Sequence, residues 1–348
     1  MRRRTVLASL VLPVLACALS ACGGASGSTA GRPLPTLRLG YFANVTHASP
    51  LIGVEKGFYQ GSLGATKLET QIFAAGGTAI GALLSGAVDA TYVGPAPAIN
   101  GFQKSRGAAL RIVSGATANG ASLVVRQGID TPAQLKGRTI ATPQTGATQD
   151  VAARTWLAAQ GIGVDKQGAG PVTLVAQDNV TTLGEFKQGR LDGGWLPEPW
   201  ASRLVLEGGA HELLDEASQW PGGSFVTTQL VVRTDLLRNH PDVVRHLLEA
   251  QVETHSWIAA HGPDSQAVAN TALRRLTGKA LRPEVIARAF SRLRLTEDPL
   301  AESLRTDAAH TVATGFQTSA DVKGIYDLTL LRQVLGHDVS DGGLGSPA

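Results

Sequence analysis

Apolar residues in this chain fall into short continuous runs separated by stretches of helical period, and that alternation predicts an α/β protein with parallel sheets. The runs Leu37–Tyr41, Leu68–Phe73, Asp89–Val93 and Leu110–Ser114 are expected strands. Between them, helices are expected from about His47 to Gly57, from Gly76-Gly77-Thr78 to near Gly86, and after Gly94-Pro95-Ala96-Pro97, since proline is tolerated in a first helical turn. Ser122–Arg126 reads as a strand crossing into a second lobe. The β/α rhythm then resumes over Thr131–Lys136, Arg138–Ala141, Val151–Gln160, Val172–Val175, Thr181–Gln188, Leu191–Trp195 and Pro197–Glu207. Gln229–Arg233 reads as the strand that crosses back. Helices follow over Pro241–Ala260, Pro263–Leu276, Pro283–Leu293, Leu300–Thr314 and Leu328–Leu335, and Asp338–Ala348 is expected to fray. Arg274, Arg275, Arg288, Arg292 and Arg294, like most histidines of this region (His240, His246, His255, His261, His310, His337), are expected on solvated helix faces.

The chain echoes itself. Gly86-Ala-Val-Asp89-Ala-Thr-Tyr92 is matched by Gly189-Arg-Leu-Asp192-Gly-Gly-Trp195 at a constant offset of 103 residues. Each copy ends a helix, turns, makes a strand and enters a proline-bearing helix start, Gly94-Pro95-Ala96-Pro97 in one and Pro197-Glu198-Pro199 in the other. Two lobes of one architecture are therefore expected. In open α/β sheets ligands sit beyond the carboxyl ends of the strands.

The stretch Arg138-Thr-Ile-Ala-Thr-Pro-Gln-Thr-Gly-Ala-Thr-Gln149 organises this reading. A strand feeds a Thr/Gly loop into a helix that stops at Gly161. Free N–H groups and the positive end of the helix dipole then meet at one point, which can hold an anion without Lys or Arg. The alternative is an ordinary connection with Thr145 or Thr148 as a helix cap. The other loops at strand ends, around Asn44 and His47, Gly77 and Thr78, Gly94 to Ala96, Thr117, Gln177–Val180 and Leu196–Trp200, likewise contain no Lys or Arg. They favour a small, singly charged oxyanion held by peptide, hydroxyl and amide donors, with Phe42 and Trp200 covering an apolar tail. A dianion would call for a bidentate arginine. Glu198 is unfavourable beside an anion in a dry cleft and is expected at a helix start; His47 is expected beside one.

Composition narrows the class. Hydrophobic residues make up 43% and charged residues 17% of 348, which is globular rather than disordered. Arg2, Arg3 and Arg4 precede an apolar run, Val6–Leu19, too short to span a membrane comfortably, so residues 1–21 read as a leader. Without them the formal charge of +3 falls to zero, and nothing favours nucleic acid. Leu19-Ser20-Ala21-Cys22-Gly23 resembles a bacterial lipobox, which would make Cys22 an acylated anchor, and residues 22–35 suit a flexible tether. The only cysteines are Cys17 and Cys22, so the body holds no thiol nucleophile, disulfide or cysteine metal ligand. H-E-x-x-H, G-x-S-x-G and metal-spaced clusters are missing from the sequence, and no catalytic residue, cofactor or metal is expected.

Four motifs together resemble the substrate-binding proteins of ABC importers for nitrate, sulfonates and taurine, nearest their aliphatic-sulfonate branch. They are His47-Ala-Ser-Pro-Leu-Ile-Gly-Val-Glu-Lys-Gly-Phe58, Leu84-Ser-Gly-Ala-Val-Asp-Ala-Thr-Tyr-Val-Gly-Pro-Ala-Pro-Ala98, Pro197-Glu-Pro-Trp200 and Val231-Val-Arg-Thr-Asp-Leu-Leu-Arg-Asn-His-Pro241. Ser49 departs from a common His-Ala-Pro pattern, which bears on the aim of His47. The resemblance implies a two-lobed periplasmic-binding-protein fold (type II-like), with residues 36–118 and 230–340 in one lobe, 119–229 in the other, and a two-strand hinge. It implies contact positions at Asn44, His47, Gly77, Thr78, Gly94, Pro95, Ala96, Thr117, Gln144 to Gln149 (Gln144, Thr145, Gly146, Thr148 and Gln149 among them) and Glu198, to which the loop composition adds Trp200. It also implies a monomer, lipid-anchored outside the cytoplasm, that delivers an organosulfonate or similar anion to a permease. Nitrate, taurine or a thiamin pyrimidine precursor are the alternative ligands. A sensor lipoprotein is a different class, and so is an enzyme of the same fold, whose known examples use a cysteine this body lacks.

Overall fold

The computed structural model describes residues 33–346 and arranges their strands in two sheets; the leader, Cys22 and the tether as far as residue 32 lie outside the described residues. The first sheet contains β1 (Thr36–Phe42), β2 (Lys67–Phe73), β3 (Ala90–Val93), β4 (Leu110–Asn119), β10 (Val226–Arg233) and β11 (Leu293–Leu295), in the order β11-β4-β10-β3-β1-β2. The second contains β5 (Ala121–Val125), β6 (Thr139–Thr142), β7 (Thr173–Ala176), β8 (Gly193–Pro197) and β9 (His211–Asp215), in the order β7-β6-β8-β5-β9. Each sheet thus has a parallel trio, β2-β1-β3 or β7-β6-β8, flanked by an antiparallel strand, β10 or β5, that enters from the other lobe. The sheets are mixed rather than purely parallel because a strand arriving from the opposite lobe runs against its new neighbours.

The repeated Gly-x-x-Asp turn explains the shared design. Gly86 and Gly189 both adopt the left-handed conformation, at φ 76° and 81°, which a side chain would strain. The aspartate three residues on then ties the next strand into its sheet. Asp89 Oδ2 accepts from Arg38 N at 2.9 Å, and Asp192 Oδ2 accepts from Thr139 N at 2.9 Å.

Helices α1 (Ala48–Glu55), α2 (Phe58–Leu63), α3 (Gly76–Ser85) and α4 (Pro95–Lys104) accompany the first sheet, and α5 (Thr148–Ala159), α6 (Asn179–Lys187) and α7 (Trp200–Gly208) the second. Then come α8 (Thr234–Asn239), α9 (Pro241–Ala260), α10 (Gly262–Thr277), α11 (Pro283–Ser291), α12 (Ala301–Ala313) and α13 (Thr329–Leu335). Leu37, Leu39, Ile99, Val231 and Leu247 belong to one large core around the first sheet. The second sheet is buried on both faces, by Ile140, Trp156 and Trp195 in one cluster and by Phe186, Leu196 and Leu204 in another. No helix among the described residues is long and apolar enough to cross a membrane.

Three surface expectations need correction. Val339 and Leu344 are buried, and Leu344 O accepts from Gly324 N and Tyr326 N, so the chain end is fastened to the first lobe rather than frayed. Arg288 and Arg292 are not on a solvated face, because they bind carboxylates of the second lobe, whereas Arg274, Arg275 and Arg294 are exposed as expected. His255 is buried between Ser49 Oγ (2.6 Å) and Glu297 Oε1 (2.7 Å), because the segment after β11 covers α9.

Candidate functional site

The two sheets point the carboxyl ends of their strands at a shared cavity of about 50 Å³. From the first lobe it is walled by Phe42, Asn44, Thr46 and His47, the Ala74–Gly76 turn, Gly94 and Pro97, and the start of β10 at Thr227 and Thr228. From the second come Pro143, Gln144, Ala147, Thr148, Gln149, Asn179 and Pro197. None of these side chains is Lys, Arg, Asp or Glu. His47 is the one titratable member, and burial pushes its pKa down to about 3, so its ring is neutral. It stacks near Phe42, with ring centroids 4.4 Å apart.

The donors are peptide groups and neutral side chains. Helices α3, α4 and α5 begin at Ala75, Gly94 and Ala147, none of which caps its helix with its own side chain, and in α3 the Gly77 N–H is taken by Gln144 Oε1. Neither Thr145 nor Thr148 caps α5. Among the described residues no backbone or side-chain acceptor meets the N–H groups of Thr148, Gln149 or Asp150. A helix start of this kind attracts an anion by about 0.3–1 kcal/mol, or up to ~2 kcal/mol when partly buried. Three buried polar atoms on cavity-lining residues also lack partners: His47 Nδ1, Thr228 Oγ1 and Asn179 Oδ1. Leaving such a group unpaired costs about 1–3 kcal/mol each. A ligand with several acceptor oxygens satisfies the Thr228 hydroxyl and the neutral imidazole, whereas Asn179 Oδ1 is itself an acceptor and calls for a donor.

Asp150 holds the loop in place. It is fully buried in the first turn of α5, where Oδ1 accepts from Thr142 Oγ1 (2.8 Å) and Oδ2 from Gly146 N (2.8 Å) and Arg154 Nε (2.7 Å). Gly146 takes φ 71° and faces the Phe316 ring, so both the backbone angle and the space there favour glycine. Arg154 neutralises Asp150 on its own helix.

Of the residues expected at the site, Asn44, His47, Gly94, Gln144, Thr148 and Gln149 line the cavity. Gly77 lies at its rim, where its N–H donates to Gln144 Oε1 across the lobes at 3.1 Å. Thr78, Pro95, Ala96 and Thr117 are outside it. Thr117 is wholly buried in β4 opposite Thr228, with Oγ1 unpartnered, and Thr78 bonds back to Ala75 O. Thr145 and Gly146 belong instead to an adjoining groove. Trp200 does not cover the cavity, since its Nε1–H donates to Asn44 Oδ1 at 2.8 Å and so orients that residue from the opposite lobe. Thr46, Thr227, Thr228 and Asn179 were not picked out by the sequence. Asn179 sits in a loop singled out by composition, but the expected start of the strand, Gln229, left Thr227 and Thr228 outside it.

Glu198 is at a helix start, as expected. Its carboxylate is buried, accepts from Ser202 N at 3.1 Å, and lies 3.5 Å from Arg288 Nη1. Burial pushes its pKa up, while Ser202 and Arg288 oppose the shift. Glu198 O also accepts from Thr46 N across the lobes. Among the described residues no group of three His, Cys, Asp or Glu is placed to hold a metal ion.

Comparison with known proteins places this geometry in context. A sequence model of the NMT1-like family matches residues 30–273. The bicarbonate-binding protein CmpA of a Synechococcus species is 28% identical over 126 residues, which cover 36% of this chain and 27% of that protein, so the chain spans about a quarter of that relative's length. Among solved structures, the periplasmic nitrate-binding protein NrtA from Synechocystis superposes with a TM-score of 0.74 at 17% identity, covering 87% of this chain and 89% of that one. The alkanesulfonate-binding protein SsuA from Xanthomonas axonopodis pv. citri, bound to MOPS, gives 0.68 at 20% identity, covering 82% and 95%. These likenesses establish the two-lobed α/β periplasmic-binding-protein fold.

Proposed function

Because this chain belongs to the NMT1-like family, we propose that it is an extracytoplasmic solute-binding protein of an ABC importer, one that captures a small monovalent oxyanion between its lobes without transforming it. The observation that carries this reading is the uncharged cavity on which uncapped helix starts and unpartnered buried polar atoms converge. Partial positive charge without a formal cation suits one negative charge better than two. Such sites act by hinge closure, in which the ligand stabilises the state that it touches from both lobes. Cys22 would tether the protein to the membrane, and a permease would take the solute from it.

An aliphatic sulfonate is the favoured ligand. A cavity of about 50 Å³ takes an oxyanion head and little more, so nitrate or bicarbonate is the second reading. A thermal-shift panel of methanesulfonate, taurine, nitrate, bicarbonate, phosphate and a pyrimidine tests this. A bound anion at a hundredfold excess over its Kd should add about 2.7 kcal/mol of stability. No response to any monovalent oxyanion, or a response to phosphate alone, would contradict the reading.

A further inference from the structure

We propose that the groove adjoining the cavity is a second subsite that receives an extended apolar chain on the oxyanion, with a preference for an acidic group at the chain's far end. This rests on the oxyanion reading of the cavity. The groove has a volume of about 250 Å³ and lies between the faces of α3 and α4 in the first lobe and the loop before α5 in the second. It shares Pro97, Gln144 and Ala147 with the cavity, so the two spaces adjoin at those residues. Gln144 stands between them, its Oε1 accepting from Gly77 N–H across the lobes, and on this reading its side chain swings aside to admit the ligand's chain.

Three features of the groove have no role in the chain's own packing. Gly81 stands in the middle of α3, where glycine costs about 1 kcal/mol relative to alanine, yet a Cβ there would meet nothing within 4 Å. The glycine keeps the groove floor clear. Leu84, one turn on, is 39% exposed and gives the floor an apolar wall, backed by Ile80 of the core. Lys104, at the end of α4, lines the groove and is exposed, and no carboxylate pairs with it among the described residues. A chain leaving the head past Gln144 runs along Gly77, Gly81 and Leu84, and its end comes within reach of Lys104 and Asn100.

Calorimetry with methanesulfonate, butanesulfonate, 4-sulfobutanoate and 4-aminobutanesulfonate tests this. Each methylene received by the groove should tighten binding about threefold to fourfold, so butanesulfonate should exceed methanesulfonate by at least roughly tenfold. An exposed ion pair adds up to about fivefold, which should rank 4-sulfobutanoate above 4-aminobutanesulfonate, and Lys104→Glu should reverse that order. Gly81→Val should lower the ratio of butanesulfonate to methanesulfonate affinity while the variant unfolds no more easily than the parent. Equal affinities for methanesulfonate and butanesulfonate, or a terminal-group order that ignores Lys104→Glu, would overturn the second subsite and leave the head site standing. Failure of every oxyanion to bind would overturn both readings.

Discussion

Arg288 Nη1, on a helix of the first lobe, lies 3.5 Å from Glu198 Oε1 in the second, one residue beyond the strand end that lines the cavity. The same guanidinium donates to Ser202 Oγ and Glu212 Oε2, both at 3.0 Å, and Arg292 adds Glu212 and Asp215. Removing Arg288 leaves the buried Glu198 carboxylate without its nearest cation, with Ser202 left to meet it. Arg288→Ala should lower unfolding stability by about 1–3 kcal/mol, and adding Glu198→Gln should recover part of the loss by removing the charge. Urea denaturation of the single and double variants checks this. An Arg288→Ala protein as stable as the parent would mean that the pair is ornamental.

Gly94 lets the lobes approach. A Cβ there would stand 2.5 Å from Thr148 Oγ1 and 3.3 Å from Thr227 O, although φ −72° suits alanine. Gly94→Ala should therefore fold but close poorly, weakening methanesulfonate binding by roughly tenfold or more. Calorimetry on the variant measures it, and undiminished affinity would place closure elsewhere.

The loop before α5 depends on Asp150. Asp150→Ala would strip Thr142 and Gly146 of their acceptor and leave Arg154 buried without its carboxylate, for a loss of about 3–5 kcal/mol. Thermal denaturation should show a lower midpoint, and adding Arg154→Met should restore part of it.

Two buried carboxylates set a pH dependence. Glu216, in the segment leading back to the first lobe, accepts from the Trp195 and Trp220 indoles, and burial pushes its pKa up to about 7. Asp307 on α12 is pushed up to about 8, by burial and by the nearby Glu216 charge. Both folded values lie above the ordinary ones near 4, so the two groups favour folding fully below about pH 4, and this contribution is lost as pH rises through 7–8. Asp307→Asn should become more stable relative to the parent as pH goes from 5 to 8. A stability difference that does not change with pH would contradict this.

Much of this was legible in the sequence, for local reasons. The repeated Gly-x-x-Asp turn needs a left-handed glycine and a strand-tying carboxylate, and residues three apart suffice for both. The absence of Lys and Arg from the strand-end loops likewise carried over to the cavity wall. What escaped depends on distant partners. Arg288 and Arg292 sit four apart on an amphipathic helix, a pattern that fits solvent equally well, and their carboxylates lie some 76–90 residues away. Glu216 and Asp307 carry no local sign that two folded segments bury them together. Trp200 was assigned to a ligand tail by its bulk, but its indole N–H found Asn44.

The central claim, an oxyanion held by peptide and hydroxyl dipoles between the lobes, has a direct test in this chain's composition. Met1, Cys17 and Cys22 carry its only sulfur atoms, so residues 33–346 contribute none. Crystals grown with methanesulfonate and measured at a long wavelength should show a sulfur anomalous peak within the folded body, between His47, Thr228 and Gln149, with the Thr148 and Gln149 N–H groups about 2.7–3.2 Å from its oxygens. A peak found only beside surface arginines, with none between the lobes, would contradict the account.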